Sequence, residues 1–312
     1  MSSKKQKKFI SLIFDNFENL QKKEISDKKK KKELPIFSDG ETISGTVIID
    51  QKHNKKQIIE KIQIQFIGQI RMLYEKGTTH DFIKITKNLN EKNKIEIHQE
   101  YTFNFQNCQM KYESYHGINA KLDYLIRVII QKQSKTDTQD FKIWVNNIKK
   151  APKKNDSIKM EVGIPNSLDM RIGIEKSKFH LLDVVLGEVS YLKVKIRLKY
   201  MEVSIIKREV TGTGTIIYTE SETLTKFEIM DGSVVKGEKI PIRFFLESLN
   251  ITPTYQNIDN KFSVNYYLNI VLVDEENRRY FKECEIYFFR NSLDSKNKKT
   301  LFSKSFFEFS QK

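Results

Sequence analysis

The stretch that decides the fold runs from Lys61 to Phe66 and reads Lys-Ile-Gln-Ile-Gln-Phe. Apolar Ile62, Ile64 and Phe66 alternate with polar glutamines, so one side of an extended chain is apolar and the other is polar. A two-residue period is typical of a β-strand with one face on a core, whereas a helix repeats about every 3.6 residues. Comparable strands are predicted at residues 101–105, 122–130, 141–145, 158–164, 168–174, 192–198, 201–210, 240–246, 262–273 and 280–289.

This number of strands predicts the fold class. Short turns rich in Gly, Asn, Asp and Lys separate them, and almost no long helical pattern occurs, which favours an all-β protein built from sandwiches. The 312 residues are enough for two domains of ordinary size. Two stretches are exceptions: Phe82, Ile85 and Leu89 have helical spacing and predict a short helix, and residues 9–17 fit a strand or an amphipathic helix equally well.

A weak internal repeat divides the chain. The pattern Glu41-x-Ile43-x-Gly45-x-Val47 recurs 142 positions later as Asp183-x-Val185-x-Gly187-x-Val189, and in both copies glycine interrupts an alternating strand. The polar stretch 149–156, which contains Ala151, Pro152 and four lysines, marks the boundary. We therefore expect a Lys-rich N-terminal segment with a possible first strand (1–35), a first sandwich (36–150), a linker (151–156), a second sandwich (157–290) and a flexible tail (291–312).

The net charge of +15 lies mostly at the two ends of the chain. Residues 1–32 hold eleven Lys against four acidic residues, and residues 291–312 hold five Lys against two, which leaves only +5 for the 258 residues between them. A body so nearly balanced lacks the basic stripe that binding to phosphate backbones requires, so no nucleic-acid partner is expected. The lysine run at 28–32 is interpreted as a solvated, flexible segment.

No constellation of residues indicates catalysis. Cys108 and Cys284 cannot form a disulfide framework, and the five histidines lack metal-ligand spacing. The sequence Thr-Gly-Thr-Gly-Thr at 211–215 is interpreted as a hairpin turn, because no lysine follows at the position that a phosphate-binding loop needs. The acidic residues 274–276 precede Arg278 and Arg279, which is typical of a charge-balanced turn. The protein is therefore predicted not to be an enzyme, with no cofactor and no metal.

No segment indicates secretion or a membrane span. The apolar run at 9–14 is too short for the core of a signal peptide, and no stretch approaches the roughly 18–20 apolar residues that cross a bilayer. We expect a soluble, intracellular protein.

Several long blocks of the sequence carry a resemblance to a known family. They are residues 37–45, 66–70, 79–82, 112–115, 157–164, 176–181, 228–232, 235–238 and 271–282. In order and in detail they resemble vacuolar protein sorting-associated protein 26, the arrestin-like subunit of the retromer coat. The resemblance runs from about Ile36 to Arg290 and implies two tandem arrestin-like β-sandwich domains. It also implies a non-enzymatic adaptor in endosome-to-Golgi retrograde transport and in the recycling of membrane proteins.

The resemblance implies a binding site for a helical solenoid, vacuolar protein sorting-associated protein 35. The matching residues are Ile229, Met230, Asp231 and Gly232, which are expected in a loop. Adjacent large apolar side chains in a loop are good interface anchors. An independent arrestin-like receptor adaptor is the alternative, and it would not need the solenoid.

The resemblance also implies a groove for cargo, shared with a sorting nexin. The cytosolic tail of a cargo receptor would add alongside one strand, and Val162 and Phe281 would form an apolar pocket for a side chain of the tail. From the residues alone, both would be core residues. The resemblance implies a cytoplasmic protein that is peripheral on the endosome membrane through indirect association. The groove residues are Ile158, Lys159, Met160, Glu161, Val162, Gly163 and Phe281.

Overall fold

The computed structural model describes residues 9–27, 30–50, 59–74, 78–93, 98–133, 135–213 and 216–291. Every regular element in these ranges is a β-strand, which confirms the predicted fold class of two tandem, arrestin-like β-sandwiches. The chain divides into two compact units that meet between Asn147 and Ile148. The described residues contain no helix with the length and apolar character needed to cross a membrane.

The first unit packs a small sheet against a large one. The small sheet has the order β1-β4-β7, and the large sheet has the order β2-β3-β10-β9-β5-β6, with β8 paired to β9. Neighbouring strands are antiparallel except β3 and β10, which run parallel. The strands are β1 (Ile10–Phe14), β2 (Lys22–Asp27), β3 (Lys30–Ser38), β4 (Ile43–Asp50), β5 (Ile59–Met72), β6 (Thr78–Asn93), β7 (His98–Phe105), β8 (Tyr115–His116), β9 (Ala120–Lys132) and β10 (Thr136–Asn146).

The second unit repeats this plan. Its small sheet has the order β11-β12-β14-β17, and its large sheet has the order β13-β20-β19-β15-β16, with β18 paired to β19. The one parallel pair among its described strands is β13 with β20. The strands are β11 (Ile158–Ile164), β12 (Leu168–Ile174), β13 (Lys178–His180), β14 (Val184–Val194), β15 (Leu198–Thr213), β16 (Ile216–Asp231), β17 (Lys239–Phe245), β18 (Tyr255–Ile258), β19 (Phe262–Asp274) and β20 (Arg279–Phe289).

The two copies of the glycine pattern occupy equivalent places. Gly45 on β4 lies opposite Phe14 of β1, and Gly187 on β14 lies opposite Ile174 of β12, so each glycine is in an inner strand of a small sheet. A Cβ atom at either position would collide with a backbone carbonyl oxygen of the neighbouring strand, Ile13 O or Gly173 O. Only glycine permits this close approach of two strands.

One buried charge cluster ties the large sheet of the first unit together. Asp123 on β9 is 3% exposed, and its carboxylate accepts hydrogen bonds from Lys142 Nζ (2.8 Å), His116 Nε2 (2.7 Å) and Arg71 Nη2 (3.3 Å). Burial alone would raise the pKa of Asp123, but the hydrogen bond from His116 and the charge and hydrogen bond of Lys142 lower that pKa from 3.8 to about 2. The carboxylate is therefore ionised and paired inside the sheet.

Several predictions about local structure need correction. The helix expected from Phe82, Ile85 and Leu89 is part of strand β6, because tertiary pairing with β5 overrides the helical spacing. Within residues 9–17, Ile10–Phe14 form strand β1. The alternation at 192–198 spans the end of β14 and the start of β15, two strands in different sheets.

The predicted flexible lysine run is also wrong in part. Lys30, Lys31 and Lys32 lie in β3 and pair with β2, and Lys31 Nζ lies 2.5 Å from Glu24 Oε1. Residues 28 and 29, and the tail from 292 onward, lie outside the described residues. The hairpin predicted at 211–215 is confirmed by the pairing of Thr213 with Ile216.

Candidate interaction surfaces

One side of the second unit carries unpaired strand edges. Strand β20 pairs with β19 along residues 279–286, whereas β13 covers only its last three residues. Among the described residues, β11 has a partner on one side only, β12. At the other side of the unit β16 approaches β17, where the rings of Phe227 and Phe244 stack at 5.6 Å. Because β16 and β17 are the last strands of their sheets on that side, β11 and the β13–β20 pair are on the opposite side of the unit.

Strand β11 presents alternating faces along its free edge. Met160 is 7% exposed, and Ile158 and Val162, two residues to either side, are half-buried on the same inner face. Lys159 and Glu161 point outward and are exposed. An exposed edge strand of this kind offers its unpaired backbone groups to another extended chain.

Phe281 is the most exposed large apolar side chain of the unit, with 73% of its surface accessible. It lies opposite Val271 in the β19–β20 register, while its neighbours Tyr280 and Lys282 lie opposite the buried Leu272 and Ile270. Phe281 therefore faces outward from the large sheet, whereas Val162 faces inward from the small sheet. The interpretation of Phe281 as a core residue is wrong, and the structure places Phe281 and Val162 at one edge but not on one face.

The turn that precedes Phe281 is held by Asp274. The Asp274 carboxylate accepts hydrogen bonds from the Arg278 backbone N–H (2.9 Å), from Arg278 Nε (2.7 Å) and from the Tyr280 hydroxyl (3.0 Å). Burial opposes ionisation, but these hydrogen bonds outweigh it and lower the pKa of Asp274. The charge-balanced turn predicted here is confirmed, and it fixes the start of β20.

The predicted solenoid-binding loop is mostly strand. Ile229, Met230 and Asp231 end β16, and only Gly232 follows it. Met230 lies opposite the fully buried Met201, is itself 7% exposed, and its Sδ accepts a hydrogen bond from the Tyr191 hydroxyl at 3.2 Å. Met230 is therefore a core residue, because its strand register directs it inward, while Ile229 is half-buried and Asp231 is exposed.

The true loop follows at residues 232–238 and carries a residue that the sequence analysis missed. Val235 is 69% exposed, and its backbone N–H donates to Glu238 Oε2 at 2.9 Å. The backbone N–H groups of Gly232 and Gly237 donate to the carbonyls of Lys199 and Tyr191, each at 2.7 Å. The sequence signal that could have identified Val235 is its position between Gly232 and Gly237, two glycines on either side of a turn. The loop is braced at both ends and presents one apolar side chain to solvent.

Among the described residues, neither a metal-binding cluster nor a reactive thiol is found. No group of three or more His, Cys, Asp or Glu side chains in them is placed to hold a metal ion. Burial raises the pKa of the Cys108 thiol, and burial together with Glu283 raises that of Cys284 to about 11, so neither thiol has the character of a nucleophile.

Two tandem arrestin-like sandwiches define the class of protein, which is that of the arrestin-like β-sandwich proteins. Comparison with known proteins is more specific. The family described as vacuolar protein sorting-associated protein 26 matches residues 5–277.

Three relatives illustrate the similarity. Vacuolar protein sorting-associated protein 26 of Dictyostelium discoideum is 42% identical over 287 residues, which cover 91% of this chain and 82% of the relative. Protein 26B of Mus musculus is 43% identical over 284 residues (90% and 84%), and protein 26B-A of Xenopus laevis is 44% identical over 262 residues (84% and 78%).

The chain belongs to the vacuolar protein sorting-associated protein 26 family. It is a retromer subunit in vacuolar protein sorting and protein transport, as the resemblance implied. Members of the family are named as sorting components, which confirms the prediction that the protein is not an enzyme.

Proposed function

We propose that this subunit is an adaptor in endosome-to-Golgi retrograde transport and recycling, which bridges the helical solenoid subunit of retromer to a sorting nexin and to the cytosolic tails of cargo receptors. The protein would act in the cytoplasm, peripheral on the endosome membrane through these partners. The open edge of the second unit carries the proposal, because it exposes unpaired strands and Phe281 together.

The cargo tail would bind as an extended strand along the edge of β11. Strand β11 (Ile158–Ile164) has unpaired backbone groups along this edge, and backbone pairing supplies affinity without regard to sequence. Val162 and Phe281 offer apolar surface from the two sheets, which would select a large apolar side chain in the tail. Lys159, Glu161 and Gly163 point outward, where the sorting nexin would approach.

The solenoid would bind at the end of β16 and the loop that follows. Ile229, Asp231, Gly232 and Val235 supply the contact surface, and Val235 is its apolar anchor because it is exposed whereas Ile229 is half-buried. Met230 would support this surface from the core rather than touch the partner. A substitution at Met230 would therefore disturb the fold and could not test binding.

The solenoid contact is tested by co-purification from cells that express both subunits. Val235→Asp should abolish or strongly reduce recovery of the solenoid, because a buried carboxylate in an apolar contact is costly. Ile217→Asp is the matched control, since Ile217 is 63% exposed on the opposite end of β16. Unchanged recovery with Val235→Asp would contradict this contact and favour an independent adaptor.

The cargo contact is tested by fluorescence anisotropy of a labelled receptor tail with the sorting nexin present. Phe281→Ala should weaken binding by about tenfold, as expected for removal of one aromatic anchor. Phe245→Ala removes a ring that is 50% exposed in another part of the unit and should have little effect. Equal losses in the two variants would rule out a specific role for Phe281.

A further inference from the structure

A cleft of about 350 Å³ in the second unit is lined by three lysines and no carboxylate. We call it the lysine cleft. It lies where the chain enters the unit, beside the end of β20. Its lining consists of Lys149, Lys150, Pro152, Lys178, Gln256, Tyr287 and Phe289.

The lysine cleft is held by backbone and side-chain hydrogen bonds. The Lys149 backbone N–H donates to the Arg290 carbonyl at 2.8 Å, and Lys149 Nζ lies 3.4 Å from the Tyr287 hydroxyl. Lys178 lies on β13 directly opposite Tyr287 in the parallel register. Lysines from two separate segments thus line one cleft together with Tyr287.

Asn155 fixes the Lys178 side of the cleft. Its Oδ1 accepts from the backbone N–H groups of Ser177 (3.0 Å) and Lys178 (2.9 Å), and its Nδ2 donates to the Lys178 carbonyl at 2.7 Å. Lys178 Nζ donates to the Lys154 carbonyl at 3.2 Å. The ammonium group is therefore positioned by neutral carbonyl oxygen rather than by an opposite charge.

The charge of the cleft is uncompensated, in contrast with lysines nearby. Lys154 pairs with Asp156 at 3.3 Å and Lys176 with Asp183 at 2.6 Å. Among the ion pairs of the described residues, none includes Lys149, Lys150 or Lys178. Converging like charges in a concave site concentrate a positive potential that favours a multiply charged anion.

We propose that the lysine cleft binds a small, multiply phosphorylated polyol of the inositol phosphate class, either free or as the headgroup of a lipid. The volume of the cleft falls at the lower end of the range for small-ligand sites. Three ammonium groups match two or more phosphates, and the Gln256 amide and the Tyr287 hydroxyl can bond to ester or hydroxyl oxygens. The proposal does not depend on the partner contacts proposed above.

The test is calorimetric titration of the full chain with inositol hexakisphosphate, compared with inorganic phosphate. Lys149→Ala with Lys178→Ala should weaken binding of the hexakisphosphate by about tenfold or more, since two charge-assisted contacts are removed. The matched control is Lys84→Ala with Lys195→Ala, which removes the same charge from exposed positions outside the cleft. It should keep binding within about twofold, because distant exposed charges are screened.

A second pair of variants guards against loss of folding. Lys149→Gln with Lys150→Gln changes only exposed side chains, and Tyr287→Phe removes only the hydroxyl, so both should keep the melting temperature and still weaken binding. Flotation with phosphatidylcholine vesicles, with and without phosphatidylinositol 3-phosphate, then distinguishes the sources. Binding to lipid that the cleft variants lose assigns a headgroup, and binding of soluble hexakisphosphate alone assigns a free inositol phosphate.

Three results would overturn the proposal. They are the absence of hexakisphosphate binding, an equal loss in the control pair, and tighter binding of an acidic phosphopeptide than of hexakisphosphate at this cleft.

Discussion

The corresponding edge of the large sheet, at β10 in the first unit and at β20 in the second, is built differently in the two units. In the first unit, β3 pairs with the end of β10 and continues into a hairpin with β2, so the free edge of β10 faces a cleft of about 660 Å³ lined by Leu12, Leu34 and Phe141. In the second unit, β13 makes the equivalent parallel pair and then stops, which leaves β20 open beside β11. An exposed edge invites pairing with other chains. One fold therefore yields an unpaired edge beside an apolar cleft in the first unit and an unpaired edge on the same side as β11 in the second.

The charges on the outer faces of the large sheets show a similar contrast. Asp123 in the first unit is buried and accepts hydrogen bonds from Arg71, His116 and Lys142, whereas Glu283 in the second unit pairs with Arg208 at 3.0 Å with both side chains about one-third exposed. Buried pairs are strongly coupled to folding, while exposed pairs contribute little. In the first unit the charged cluster around Asp123 therefore stabilises the large sheet. In the second unit the outer face of the large sheet stays accessible around Phe281.

The largest loss of stability is expected at the two glycines that occupy equivalent places in the units, Gly45 and Gly187. Gly45→Ala and Gly187→Ala should each destabilise their own unit by about 3 kcal/mol or more, because the added Cβ collides with the backbone of the adjacent strand. Urea denaturation of the full chain measures the loss. Gly173→Ala is the control, since a Cβ there meets nothing within 4 Å. An equal loss of stability with Gly173→Ala would contradict the explanation by Cβ collision.

The next effect should distinguish the units. Asp123→Asn should cost about 3 kcal/mol, because it leaves the buried cluster without its negative charge, whereas Glu283→Gln should cost less than about 1 kcal/mol. Both are measured by denaturation of the respective unit. Similar costs for the two variants would show that the faces do not differ as we describe.

Acid should affect the first unit through the same carboxylate. The folded-state pKa of Asp123 is about 2 against an ordinary 3.8, so its contribution is complete above about pH 4 and is lost as the pH falls through 2. The shift corresponds to about 2 kcal/mol. Stability curves from pH 5 to 2 should show this loss in the wild type, and Asp123→Asn should lack that component.

The smallest effect on stability is expected at the open edge. Phe281→Ala should change the free energy of unfolding by less than about 0.5 kcal/mol, because its ring is already in water. Phe141→Ala, in the cleft of the first unit, should lower the free energy of unfolding by about 1–2 kcal/mol. Thermal melting of the two variants compares them directly. A large loss with Phe281→Ala would mean that Phe281 packs against the fold and is not free for a partner.

Strand alternation was sufficient to predict where most strands lie, and residues 158–164 and 168–174 were predicted with their actual bounds. Alternation did not predict the secondary structure correctly where pairing with a neighbouring strand determines it. Phe82, Ile85 and Leu89 satisfy a helical pattern, but β5 recruits them into a strand. The alternation at 192–198 continues through a change of sheet, since a pattern of side chains carries no information about which neighbour the strand will have.

The candidate sites show the same division. The resemblance located Ile229, Met230, Val162 and Phe281, but their exposure was not available from the residues themselves. Met230 is buried because its register places it opposite Met201, and Phe281 is exposed because its register directs it to the outer face of the large sheet.

By itself, the sequence determined that this protein is all-β and that it belongs to the vacuolar protein sorting-associated protein 26 family, because periodicity and local motifs are properties of the chain. Only the tertiary structure decided which apolar residues face water, that Val235 stands out on a braced loop, and that three lysines converge without a carboxylate. Exposure and convergence depend on contacts between residues distant in sequence, and those contacts are fixed by strand pairing and sheet packing rather than by local pattern.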